Sequence, residues 1–136
     1  METEFSHTLA AGRAGLPAAL DALEAWLNGL GLAPSVTGPV MVAADDILSN
    51  VLDHGGAQSV GITARAVAGL VTVEVVDDGE AFDPLAVEAP DTTLALEARD
   101  VGGLGVHLVR RLMDEVRYER RDGRNRLRFS KTFDAP

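Results

Sequence analysis

Residues 58–79, QSVGITARAVAGLVTVEVVDDG, decide the fold. The runs 58–66 and 70–77 read as two strands joined at Ala68-Gly69. In the second, Val71, Val73 and Val75 share one face while Thr72 and Glu74 take the other, the period-2 pattern of a half-buried strand. No helix separates the two runs, so this is not the βαβ unit of a Rossmann domain.

Working outward gives the remaining elements. Residues 4–10 alternate loosely and read as a first strand. Leu16, Leu20, Leu23, Leu27 and Leu30 recur at helical spacing; Pro17 fits a first turn, and Gly29 and Gly31 mark the end. Residues 31–38 read as a loop, and 39–54 as a second helix with Val40, Ala44, Ile47, Leu48 and Val51 as its apolar stripe. Residues 79–103 lack periodicity, and a loop of that length inside a compact domain is usually functional or mobile. Residues 104–114 read as a third helix, and 115–133 as a hairpin turning at Asp122-Gly123. The order is β-α-α-β-β-loop-α-β-β. Strands in adjacent pairs point to an α+β fold: a two-layer α/β sandwich, its mixed or antiparallel sheet covered by helices on one face.

A chain of 136 residues with 46% hydrophobic residues suits one domain, 1–136, with one packed core. Aromatics are only 4%, so that core is mostly aliphatic. No apolar run reaches the length of a membrane span, and the N-terminus lacks signal-peptide features. Cysteine is absent, which excludes disulfides and thiolate–metal sites. A cytoplasmic location is the expectation. The net charge of −9 argues against general nucleic-acid binding. A polyanionic ligand would need local help from a metal, backbone N–H groups or a helix N-terminus.

Three segments are candidates for chemistry. Asp46, Asn50 and His54 lie four apart on the second helix, which sets neighbours about 40° apart on its surface. Asp46 lies nearly opposite the apolar stripe. A carboxylate can take a proton or orient a hydroxyl, and an amide oxygen can ligate Mg²⁺; a solvated helix face is the plain alternative. In VVDDGEAFDP, residues 75–84, Asp77 falls on the valine face. Buried there it needs a partner, such as a ligand's amino group, and Gly79 would let a flat ring approach. Taken alone, the segment reads as a strand-to-turn exit. In DVGGLGVHLVRRLMDEV, residues 100–116, three glycines precede an amphipathic helix and offer free N–H groups to an anion. Alone, they read as a hinge.

The three occur in a fixed order: acid-x-x-x-Asn on a helix, Asp-x-Gly after a strand, Gly-Gly-Leu-Gly before a helix. This set resembles the GHKL nucleotide-binding family, with its Bergerat fold. The FDP at 82–84 and GGLGVHLVRRLMDEVRY resemble the anti-sigma-factor serine/threonine kinases within it. The resemblance implies ATP and Mg²⁺ as cofactors and transfer of phosphate to a serine of a small antagonist protein, an anti-anti-sigma protein of STAS type. A sigma factor as second partner and a homodimer are implied as well, with no nucleic acid and no membrane. Asp46 would be the catalytic acid position, and Asn50 would hold Mg²⁺. Asp77 would accept from the adenine amino group with Gly79 beside the ring. Gly102, Gly103, Leu104 and Gly105 would form the lid base and phosphate-binding turn, below a lid at about 83–101. His54 matches a common position without an assigned role.

Two departures bear on this expectation. Asp46 stands where the family usually has Glu, one methylene longer. Glu80-Ala81 stands where a residue followed by Gly is common. A nucleotide-sensing module that sequesters a sigma factor or other regulator, with little or no kinase activity, is the alternative. A detached catalytic domain of a histidine kinase shares the pocket; the short lid and FDP weigh against it.

Overall fold

The computed structural model describes residues 3–10, 12–54, 56–81 and 109–133. Strand β1 (Thr3–Ala10) leads to helices α1 (Leu16–Gly29) and α2 (Pro34–His54) and to the hairpin β2 (Ser59–Val67) and β3 (Leu70–Asp77). A second hairpin, β4 (Glu115–Arg121) and β5 (Arg124–Thr132), completes a five-stranded sheet of order β1-β2-β3-β5-β4. Every pairing is antiparallel.

Both hairpins turn on two residues of positive φ, Ala68 (52°) with Gly69 (81°) and Asp122 (54°) with Gly123 (74°). That left-handed pair matches the twist of the flanking strands. Gly69 is required twice over, since a Cβ there would stand 3.1 Å from the Phe133 carbonyl oxygen.

Alternation then sorts the side chains. Val60, Ile62, Ala64 and Ala66 of β2, Val71, Val73 and Val75 of β3, and Leu127 and Phe129 of β5 all point inward and are buried. Helix α1 lays Leu16, Ala19, Leu23 and Leu27 into this core, and Pro17 sits in its first turn, where a missing N–H costs nothing. Helix α2 packs on β3 and β5 through Val40, Ala43, Ala44, Ile47 and Leu48. Each such buried Val or Leu contributes about 1.5–3 kcal/mol. Residues 109–112 are helical, and Val109 and Met113 join the core. Phe129 is the one aromatic side chain buried among the described residues, as the aliphatic composition implies.

Two expectations need correcting. Helix α2 starts at Pro34, so residues 34–38 are helical and Pro39 lies inside the helix. Proline disfavours a helical residue before it in part through that residue's Cβ, and Gly38 has none. The buried face of α2 also takes in Ala43, which brings its edge round to Asp46. That residue is half-buried, not opposite the core.

The sheet's other face is open. Glu74 receives Arg128 at 3.0 Å and Arg126 at 3.4 Å, and Arg117 stands directly across from Arg128 in the ladder. Arg117 also bonds Glu115. A hollow of about 570 Å³ lies on this face, lined in part by Thr63, Arg65, Thr72, Glu74 and Arg128. No helix among the described residues is long and apolar enough to cross a membrane.

Candidate functional site

The inward row of β3 runs Val71, Val73, Val75 and ends in Asp77, only 4% exposed. In register beside it stand Val60 on β2 and Asn125 on β5, with Arg120 on β4 next to Asn125. One rung of the sheet therefore reads Leu9, Val60, Asp77, Asn125, Arg120, polar for three of its five places. A buried carboxylate must find donors, and Asp77 has two. Its Oδ1 accepts the Gly79 N–H at 2.9 Å and the Asn125 Nδ2 at 3.0 Å.

Asn125, 6% exposed, organises the turn that follows. Its Nδ2 also donates to the Glu80 carbonyl at 2.7 Å. Its Oδ1 accepts from the Tyr118 hydroxyl and from Arg120 Nη1 at 3.2 Å. The same Arg120 nitrogen donates to the Gly79 carbonyl at 2.8 Å. The backbone at 79–80 is thus clamped from β4 and β5. Gly79 is buried within this arrangement.

Asp78, one residue on, faces the other way. Its Oδ1 accepts from the N–H groups of Ser59 and Gln58, at 3.1 and 2.8 Å. Those two bonds hold its carboxyl below the usual aspartate range. They also fasten the end of β3 to the segment that follows α2. Because β2 begins only five residues after His54, the last turns of α2 lie at the Asp77 end of the sheet. Asp46 is two turns back, about 12 Å along the helix at 1.5 Å per residue.

Asp46 differs from Asp77 in having a buried Oδ2 with no hydrogen-bond partner among the described residues. Burial, and secondarily the charge of Asp45, push its carboxyl above the ordinary aspartate value. Asn50, one turn on, is half-buried. Asp77 and Gly79 thus lie at the end of the sheet toward which α2 runs, with Asn50 one turn and Asp46 two turns before its last residue. Gly102, Gly103, Leu104, Gly105 and the span 83–101 lie outside the described residues, as does the side chain of His54.

Asn125 and Arg120 lie outside every sequence motif, and Tyr118 ends one without an assigned role. The signal was present: Asn125 continues the inward alternation of Leu127 and Phe129, at the position an antiparallel partner of β3 sets beside Asp77.

Comparison with known proteins agrees with this fold. The model of the histidine kinase-like ATPase domain matches residues 9–131. The serine/threonine-protein kinase BtrW of Bordetella bronchiseptica is 32% identical over 90 residues, 63% of this chain and 63% of that protein. The chain therefore spans less than two thirds of the curated relative it matches. The solved RsbU and RsbW domains of Rv1364c from Mycobacterium tuberculosis superpose with a TM-score of 0.72 at 19% identity, over 98% of this chain and 33% of the other. The Acinetobacter baumannii histidine kinase AdeS gives 0.54 at 13% identity, over 94% and 68%. Both likenesses speak to the fold. A sheet covered on one face by two helices, ending in a held carboxylate, together with a family match across nearly its whole length, places the chain in the histidine kinase-like ATPase domain family, whose members bind a nucleotide.

Proposed function

We propose that the chain is an ATP-dependent serine/threonine protein kinase acting as an anti-sigma-factor-like regulator, with a serine of an antagonist protein as phosphate acceptor. The observation that carries this is the Asp77 carboxylate: Oδ1 is fully engaged by two protein donors, while Oδ2 has no hydrogen bond among the described residues. An amino group such as that of adenine is the complement of that oxygen, with Gly79 beside the ring.

At the other end of the nucleotide, Asp46 is the base. Its raised carboxyl value moves it toward working pH, where a general base operates best. Its partnerless buried Oδ2 fits a serine hydroxyl proton. The serine oxygen attacks the γ-phosphorus, the bond to the β–γ bridging oxygen breaks, ADP departs, and the proton passes to Asp46. Asn50 would hold Mg²⁺ through its amide oxygen; bound there, the ion neutralises phosphate charge. Such an ion needs few protein ligands, since phosphates and water fill its shell. Gly102, Gly103, Leu104 and Gly105 would cradle the phosphates beneath a lid at 83–101, residues 1–136 forming one domain. A homodimer, a sigma factor as second partner and a cytoplasmic setting complete the reading.

Asp46 being one methylene shorter than Glu favours a second reading, a nucleotide-sensing module that sequesters a regulator without phosphorylating it. Labelled ATP, Mg²⁺ and a candidate antagonist separate the two. Transfer that is lost in Asp46→Ala and raised in Asp46→Glu supports the kinase. ATP binding without transfer in either protein sinks the kinase and leaves the module.

A further inference from the structure

We propose that Asn125, oriented by Arg120 and Tyr118, is the positioning residue that makes this site select a 6-amino purine over a 6-oxo purine. The inference rests on the reading that the Asp77 end of the sheet receives the base. Nothing in the motif set assigns a role to these three residues.

The argument is one of obligate donors and acceptors. An amide can be turned either way, so its orientation must be forced by its neighbours. Two neighbours of Asn125 leave no choice. A guanidinium only donates, and Arg120 Nη1 lies 3.2 Å from one end of the amide. A carbonyl only accepts, and Glu80 O lies 2.7 Å from the other. The end near Arg120 is therefore oxygen and the end near Glu80 nitrogen. That nitrogen is also the group 3.0 Å from Asp77 Oδ1. Asp77 must accept there, and it accepts again from the Gly79 N–H.

The consequence reaches the ligand. Oδ1 is saturated by donors that cannot reverse, so the carboxylate is pinned in one rotation with Oδ2 as its free acceptor. A 6-amino group meets that oxygen with a donor. A 6-oxo group would set an acceptor against it and leave the carboxylate unsatisfied, a mismatch that polar sites reject strongly. Arg120 further ties the Gly79 carbonyl, so base-facing backbone and carboxylate are held by one side chain.

ATP and ITP differ in this feature, so calorimetric titration with each, at saturating Mg²⁺, tests the proposal. The unmodified chain is expected to prefer ATP by about 100-fold or more. Asn125→Asp keeps the size of the side chain but sets two carboxylates 3 Å apart, where they share one proton. The new oxygen faces Asp77 Oδ1 and the Glu80 carbonyl, both acceptors, so Oδ1 loses its fixed donor and the Asp77 carboxyl, no longer pinned in one rotation, can turn a protonated oxygen toward a 6-oxo group. The ATP:ITP preference should then fall by about tenfold or more. Arg120→Met, at an exposed residue, should lower it about threefold while the fold, read by circular dichroism, persists. A merely structural role would weaken both nucleotides alike and leave the ratio unchanged. If the unmodified chain binds neither nucleotide, the underlying site reading fails. Binding both equally, or keeping the ratio within twofold in every folded variant, overturns the inference alone. Should Asn125→Asp not fold, Arg120→Met decides.

Discussion

The central pair β3 and β5 has two unlike ends. At the first, Leu70 pairs with Thr132, the Ala68-Gly69 turn closes the hairpin, and Phe133 N–H donates to the Gly69 carbonyl at 2.8 Å. At the second, Asp77 pairs with Asn125, both nearly inaccessible. The middle of the ladder shows what packing alone selects: Val73 beside Phe129 and Val75 beside Leu127. Valine or leucine at 77 and 125 would continue the apolar rows but leave the Gly79 N–H and the Glu80 carbonyl without these partners. A buried acid and amide there need five hydrogen bonds to offset their desolvation. The difference separates residues that core packing selects from residues that it does not explain.

The contrast can be broken at several points. Phe129→Ala, in the apolar middle, should cost about 3–5 kcal/mol of stability, read by chemical denaturation. Nucleotide affinity of the folded fraction should change little. Asp77→Asn exchanges an acceptor for a group that can donate. It should weaken ATP binding by about 100-fold by calorimetry, with melting behaviour largely kept. A loss of folding equal to that of Phe129→Ala would erase the distinction between the two regions.

Asp46 sharpens it further. Its folded-state pKa is raised, so the folded chain binds that proton more readily than the unfolded chain, and stability falls as pH rises from about 4 toward the folded value. At neutral pH the carboxylate is a destabilising group. Asp46→Asn should therefore raise Tm by on the order of a few degrees, abolish transfer, and lose its advantage below about pH 4.

The smallest effect is expected at Asp78, whose depressed carboxyl contributes stability above its unfolded value that disappears as pH falls through the folded one. Asp78→Ala should lower Tm slightly at neutral pH, and the gap should close below about pH 4. Asp78→Asn should recover part of it, because an amide oxygen still accepts from Gln58 and Ser59.

Much of this was legible in the sequence, for reasons that differ by element. The strands were readable because half-buried β structure writes itself with period 2, and both turns because Ala68-Gly69 and Asp122-Gly123 punctuate it. The start of α2 was not. Gly38 and Pro39 read as breakers, whereas the missing Cβ at 38 helps a helix run through Pro39. The setting of Asp46 was misjudged because Ala43, small and easily passed over, is part of the buried face. Asn125 was missed because it belongs to no motif; its meaning comes from strand register, a property of two segments that lie 48 residues apart at Asp77 and Asn125.

One consequence of the second hairpin reaches beyond the site. Seven of the chain's twelve Lys and Arg residues fall between 115 and 132 against three acids there, although the whole carries −9. Among the described residues the second hairpin is therefore a positive margin of an acidic chain. Near a charged surface it is turned before it touches, so encounter rates and approach angle vary with ionic strength, and most steeply when the Debye length exceeds about 10 Å.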